Sequence, residues 1–234
     1  MIFIRSLIFS LVMLVLTGFV AITGFLTAPL PLKMRNYFIR YYALSVLIAV
    51  KFICGIRYEV TGTENIDDET CILISNHQST WETLVVQEIF PHLCFVVKKE
   101  LLWVPLFGWA LAMLAPIAID RKSGRNAIQQ IVEQGTSRLQ SGIWVVIFPE
   151  GTRIAYDKKA RHKKGGAILA KSSGFNIIPM AHNAGKYWPK KGFLKKPGTI
   201  KVVIGKKILT KSLSVDEIIK QTQNWIESTR KSLK

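Results

Sequence analysis

Two short stretches combine residue types that move a proton and hold an anion. The first is SNHQSTWE, residues 75–82, in which His77 stands five positions before Glu82. An imidazole with a carboxylate on one ring nitrogen is the base-and-orienter part of a serine hydrolase triad, without the serine. The second ring nitrogen is then free to take a proton from a substrate hydroxyl. The second stretch is FPEGTR, residues 148–153. Gly151 lets a backbone approach a ligand closely, Thr152 offers a hydroxyl, and Arg153 offers a planar fork that matches phosphate oxygens. Glu150 is placed either to accept from a ligand hydroxyl or to hold Arg153. Arg121, at the end of the apolar run PIAIDR (116–121), supplies a second phosphate ligand.

The spacing says where these groups must sit. At about 100° per residue, five helical steps turn two side chains well apart. His77 and Glu82 meet only if His77 precedes a helix and Glu82 lies in its first turns. The flanking pattern agrees. TCILIS (70–75) reads as a buried strand, NHQS follows it directly, and TWETLVVQEIF (80–90) reads as a helix stopped by Pro91. Asn76 or Ser79 can cap that helix. FPEGTR follows another strongly apolar run, IWVVIFP (143–149). In an open parallel sheet, functional groups collect at the carboxyl ends of strands, so these motifs belong on one rim.

The remaining pattern supplies the sheet. RYEVTG (57–62), LCFVVKK (93–99), PIAIDR, NIIPMA (176–181) and GTIKVVIG (198–205) read as strands. Helices are expected at 124–140, at 164–174 and in the tail beginning SVDEII, whose serine start, early acids and late bases suit helix ends. Strands alternating with helices predict an α/β domain on a mainly parallel central sheet flanked by helices, covering residues 57–234. LLWVPLFGWALAML (101–114) is apolar and aromatic but broken by Pro105 and Gly108; it supplies either part of a tunnel wall or ordinary core.

Residues 1–56 differ in kind. Ile2 to Leu26 is almost wholly apolar with Arg5 as its one charge, and reaches roughly the thickness of a bilayer core. A basic turn follows, then a weaker apolar run from Tyr37 to Ile56. The expectation is a membrane-associated two-helix segment, one helix spanning or deeply embedded and one interfacial. The lysine- and arginine-rich remainder then stays on the cytoplasmic face of the inner membrane.

Composition limits the partners. The chain of 234 residues is 49% apolar with a formal net charge of +17. That charge fits anionic membrane, acidic protein or phosphorylated substrates. Nucleic acid leaves the apolar N-terminus without a use. Cys54, Cys71 and Cys94 show no paired spacing and read as buried thiols. No metal constellation or P-loop appears, and no cofactor is implied. His92, His162 and His182 have no carboxylate at a useful spacing and read as packing residues.

Taken in order, the motifs resemble those of the glycerolipid acyltransferases. NHQSTWE is similar to the H-x4-D block, PIAIDR to the block ending in a substrate-contacting arginine, FPEGTR to the 1-acyl-sn-glycerol-3-phosphate acyltransferase signature, and IIPMAHN to the fourth block. One residue departs: Glu82 stands where aspartate is usual, which asks the helix to sit slightly further from His77. The resemblance implies a general-base role for His77, oriented by Glu82, and an acceptor phosphate held by Arg153 with Arg121. The lysophospholipid acceptor would be acylated from an acyl carrier protein or coenzyme A thioester. Backbone N–H groups near the helix start would stabilise the oxyanion. A sister enzyme using lyso-ornithine lipid or glycerol 3-phosphate, or a non-catalytic basic membrane-binding protein, would share much of this composition.

Overall fold

A computed structural model describes residues 1–27 and 29–233. Two long helices come first, α1 (Ile2–Thr27) and α2 (Leu32–Cys54). The seven strands are β1 (Ile56–Thr61), β2 (Ile72–Ser75), β3 (Leu93–Lys98), β4 (Ile117–Ile119), β5 (Trp144–Ile147), β6 (Ile177–His182) and β7 (Gly198–Ile204). Between and after them lie α3 (Trp81–Ile89), α4 (Phe107–Ala112), α5 (Arg125–Gln140), α6 (Gly165–Ser173) and α7 (Val215–Ser232). The strands form one sheet in the order β1-β7-β6-β2-β5-β3-β4. Only β6 and β7 pair antiparallel, so β6, β2, β5, β3 and β4 run one way and end on a common rim.

Why these segments read as continuous apolar runs is clear from their burial. Successive strand residues point to opposite faces, and in the central strands β2, β5 and β6 both faces are covered. On β5, Trp144 and Val146 join the core beneath α1, α2 and α3, whereas Val145 and Ile147 join the core beneath α5, α6 and α7. The 101–114 stretch divides as its proline and glycine demand, into a 3₁₀ turn (Lys99–Trp103) and the short α4.

The N-terminal helices do not leave the domain end-on. Near one end of α1 the Ser6 hydroxyl accepts the Lys195 N–H at 2.9 Å, and Phe9 meets Trp188 edge-to-face at 5.1 Å. Near the other, a Cβ added at Gly24 would lie 2.8 Å from Met113 Sδ. Thr17 and Tyr42 join α1 to α2 through a 2.9 Å hydrogen bond. Each helix is long and apolar enough to cross a membrane by length and composition. α1 packs against the α/β domain near both of its ends. Its outward face exposes Phe3, Ile4, Leu11, Leu14, Val15 and Phe19.

Candidate active site

β2 and β5 are parallel neighbours, with Ile74 opposite Ile147. The chain leaves both strands on the shared rim, and the two motif loops are stitched together there. The Ile154 N–H donates to the His77 carbonyl at 2.7 Å. His77 thus sits in a loop held from both sides before α3 begins.

His77 Nδ1 lies 2.7 Å from Glu82 Oε1. An ionised carboxylate only accepts, so Nδ1 carries the hydrogen and Nε2 keeps its lone pair. The same Oε1 accepts the backbone N–H of Gln78 at 2.7 Å and of Ser79 at 2.8 Å. This resolves the spacing. Glu82 sits at the second residue of α3 and folds back over the unsatisfied N–H groups of its own helix start, as a capping glutamate does. The longer arm suits this geometry. Ser79 also contributes to the cap by accepting the Trp81 N–H at 3.1 Å, whereas Asn76 bonds across to β6 instead. Burial pushes the Glu82 carboxyl up, but His182, the His77 hydrogen bond and the Ser79 N–H together hold it below the usual range. Phe148 stacks on the His77 ring at 4.1 Å and limits its rotation.

His77 opens onto a cavity of about 360 Å³. Arg121, Gly151, Thr152 and Arg153 line the same cavity. Arg153 Nη1 donates to Thr80 Oγ1 at 3.0 Å, and Arg121 Nη1 donates to the Gly151 carbonyl. Gly151 has φ 69°, a left-handed backbone that glycine adopts without strain. The rest of the wall is largely apolar. It comes from Met13 of α1, Ala43 of α2, Leu84 of α3, Phe95 and Val97 of β3, and Leu101, Phe107, Ala110 and Leu114 of the broken stretch. That stretch therefore lines the cavity and also contributes residues to the core.

Two expectations need correction. Glu150 does not reach the cavity and does not hold Arg153. It is buried, and its Oε1 accepts the His77 N–H at 3.2 Å. Burial lifts its carboxyl to about 7. The expected oxyanion donors narrow as well, because the N–H groups of His77, Gln78 and Ser79 are already taken by carboxylates. A third residue had been set aside: His182 is fully buried, and its Nε2 lies 3.9 Å from Glu82 Oε2. The signal for it was present, since it closes β6 on the rim that carries His77.

A family model described as Acyltransferase matches residues 57–183, the span holding every motif above. The chain is 42% identical over 231 residues to the 1-acyl-sn-glycerol-3-phosphate acyltransferase of Pseudomonas aeruginosa, covering 97% of this chain and 90% of that one. The chain belongs to the acyltransferase family. Within it stand more distant relatives. The yeast 1-acyl-sn-glycerol-3-phosphate acyltransferase (Saccharomyces cerevisiae) is 33% identical, over 72% of this chain and 57% of that one. The human alpha form is 30% identical, over 74% and 62%. The crystal structure of the 1-acyl-sn-glycerophosphate acyltransferase from Thermotoga maritima shares the fold. It superposes with a TM-score of 0.79 at 21% identity, covering 98% of this chain and 95% of that one. The acyltransferase fold therefore includes the two N-terminal helices as well as the sheet.

Proposed function

We propose that this acyltransferase moves a fatty-acyl group from a thioester to the sn-2 hydroxyl of 1-acyl-sn-glycerol 3-phosphate, with His77 as general base. The observation that carries the reading is the His77–Glu82 pair opening onto a cavity that is cationic near the pair and apolar elsewhere. Among the described residues no other histidine joins a carboxylate to a cavity wall.

The chemistry follows from the groups in place. Nε2 of His77 takes the proton of the acceptor hydroxyl as its oxygen attacks the thioester carbonyl. The C–O bond forms, the tetrahedral intermediate collapses, and the C–S bond breaks. The departing sulfur takes the proton back from the imidazolium, giving phosphatidic acid and a free thiol on acyl carrier protein or coenzyme A. Glu82 fixes the tautomer throughout and stabilises the transient cation. Arg153 and Arg121 bind the acceptor phosphate, and the apolar part of the cavity receives an acyl chain. Positioned general-base catalysis of this kind contributes about 10²–10⁴-fold.

The outward apolar face of α1 and the exposed Trp103, Phe107 and Trp109 support a seat on a membrane surface, where the acceptor resides. The net charge of +17 favours an anionic membrane and an acidic donor, and the basic domain remains on the cytoplasmic side. The test is transfer of labelled oleoyl-coenzyme A to lysophosphatidic acid by purified protein. Wild-type protein should form phosphatidic acid, and His77→Ala should lower kcat by about 10²–10⁴-fold. Undiminished transfer by His77→Ala would remove the mechanism.

A further inference from the structure

Glu82 uses its two oxygens unequally. Oε1 accepts from His77 Nδ1, Gln78 N and Ser79 N, while Oε2 is buried and accepts no hydrogen bond. The fully buried His182 holds its Nε2 3.9 Å from that idle oxygen. The separation exceeds a hydrogen bond, but in a dry interior a dipole still acts strongly at that range.

The tautomer of His182 is fixed by its neighbours. Its Nδ1 accepts the Ala184 N–H at 3.2 Å, so the ring hydrogen sits on Nε2. From there it is donated to the Asn76 carbonyl at 2.8 Å. Asn76 answers with its side chain, donating to the His182 carbonyl at 3.1 Å and accepting the His182 N–H at 3.0 Å. One N–H group therefore meets both supports of the base. It binds the carbonyl of the peptide that leads into His77, and it faces the carboxylate that orients the His77 ring.

We propose that His182 is a positioning residue for the His77–Glu82 pair, fixing the loop through the Asn76 carbonyl and presenting the positive end of Nε2–H to the unused oxygen of Glu82. The inference rests on the reading of His77 as base. Glutamate has one more side-chain torsion than aspartate, so its carboxylate has more freedom to restrain. The charged or titratable groups facing His182 are Glu82 from α3, His77 from the loop and Arg230 from α7. Burial favours the neutral ring and pushes its pKa down, with His77 and Arg230 acting the same way against Glu82. A neutral ring keeps the single hydrogen on Nε2 where both supports need it.

The experiment compares His182→Gln, His182→Asn and His182→Phe in the full chain, using oleoyl-coenzyme A and lysophosphatidic acid. A glutamine amide reaches the Nε2 position; an asparagine amide stops at the Nδ1 position, and phenylalanine donates nothing. Losing the Nε2 donor should lower kcat about tenfold in the Asn and Phe variants, with both KM values within about twofold. The acid limb of kcat/KM should move to higher pH by roughly half a unit, because the N–H dipole no longer opposes proton uptake by the pair. The Gln variant should keep kcat within about threefold and retain the wild-type limb. An unshifted limb in the Asn variant, or a Gln variant no better than Asn, would overturn the inference. Should His182→Phe fail to fold, the Gln–Asn comparison decides alone. His77→Ala is measured alongside: if it retains wild-type transfer the general-base reading itself fails, whereas an inactive His77→Ala with unaltered His182 variants sinks only the role of His182.

Discussion

Replacing Glu82 by aspartate restores the acid usual in the motif that SNHQSTWE resembles, and it should nevertheless damage this protein. Oε1 of Glu82 lies 2.7 Å from His77 Nδ1, 2.7 Å from Gln78 N and 2.8 Å from Ser79 N. Removing one methylene withdraws the carboxylate by about 1.3 Å, which takes those separations to about 4 Å, beyond hydrogen-bonding range. A hydrogen bond to a charged group contributes about 1.5–3 kcal/mol. Rocking of α3 can recover part of the cap, so only the His77 bond is counted against catalysis. At 1.36 kcal/mol per decade that is a fall in kcat of about 10- to 100-fold. Glu82 does not line the cavity, so KM for lysophosphatidic acid should stay within about twofold. Initial rates at saturating oleoyl-coenzyme A, with His77→Ala as the floor, measure the loss. Wild-type kcat in Glu82→Asp would refute the reasoning, since the acid would then reach His77 by a geometry other than the one described.

Arg153→Lys should raise KM for lysophosphatidic acid about tenfold or more while changing kcat less, because an ammonium cannot replace a planar two-point contact with phosphate; a kcat-only defect in acceptor titrations would contradict it. Ala110→Phe puts a ring into the cavity beside Leu111 and Leu114, so rates with long-chain acyl-coenzyme A should fall several-fold more than rates with short-chain donors; an unaltered chain-length profile would count against an acyl-binding wall. Burial raises Glu150 from 4.5 to about 7, and a raised acid contributes stability that is complete below pH 4.5 and fades as pH rises through 7. Glu150→Gln stays neutral, so the stability of wild type relative to this variant should fall by about 3 kcal/mol between pH 4.5 and 8, followed by thermal melts, and a pH-independent difference would disprove it.

The central strands β2, β5 and β6 were legible as apolar runs, and burial on both faces removes from them the alternation that β1, at the sheet edge, still shows. Sheet order was not legible: the reversal between β6 and β7 depends on pairing across the sheet, not on either segment's own pattern. The same division runs through the site. His77, Glu82, Arg121 and Arg153 could be found because each lies in the loop or first helical turn that follows a strand. The fate of Glu150 turned on a demand from elsewhere in the chain. The loop before α3 leaves the His77 N–H pointing inward, and a buried donor needs an acceptor, so the carboxylate of the neighbouring rim loop turns in to meet it and not out to the ligand.

His182 shows how far the rim argument extends. Spacing along the chain dismissed it, because no acid lies near it in sequence and Asn76, its principal partner, is 106 residues away. Position in the sheet would have kept it. β2 and β6 are adjacent and parallel, with Ser75 opposite Met180, so the residues just beyond that pair must lie side by side at the carboxyl end. On β2 those residues are Asn76 and His77, and on β6 they are Ala181 and His182. A histidine that ends a wholly buried strand has no solvent to satisfy its two nitrogens and must find polar partners on that rim. The polar groups there are the Asn76 loop, the Ala184 N–H and the acid behind His77. The rule that singled out His77 from the strand before it therefore applies equally to the strand beside it, and it places an imidazole on the far side of Glu82.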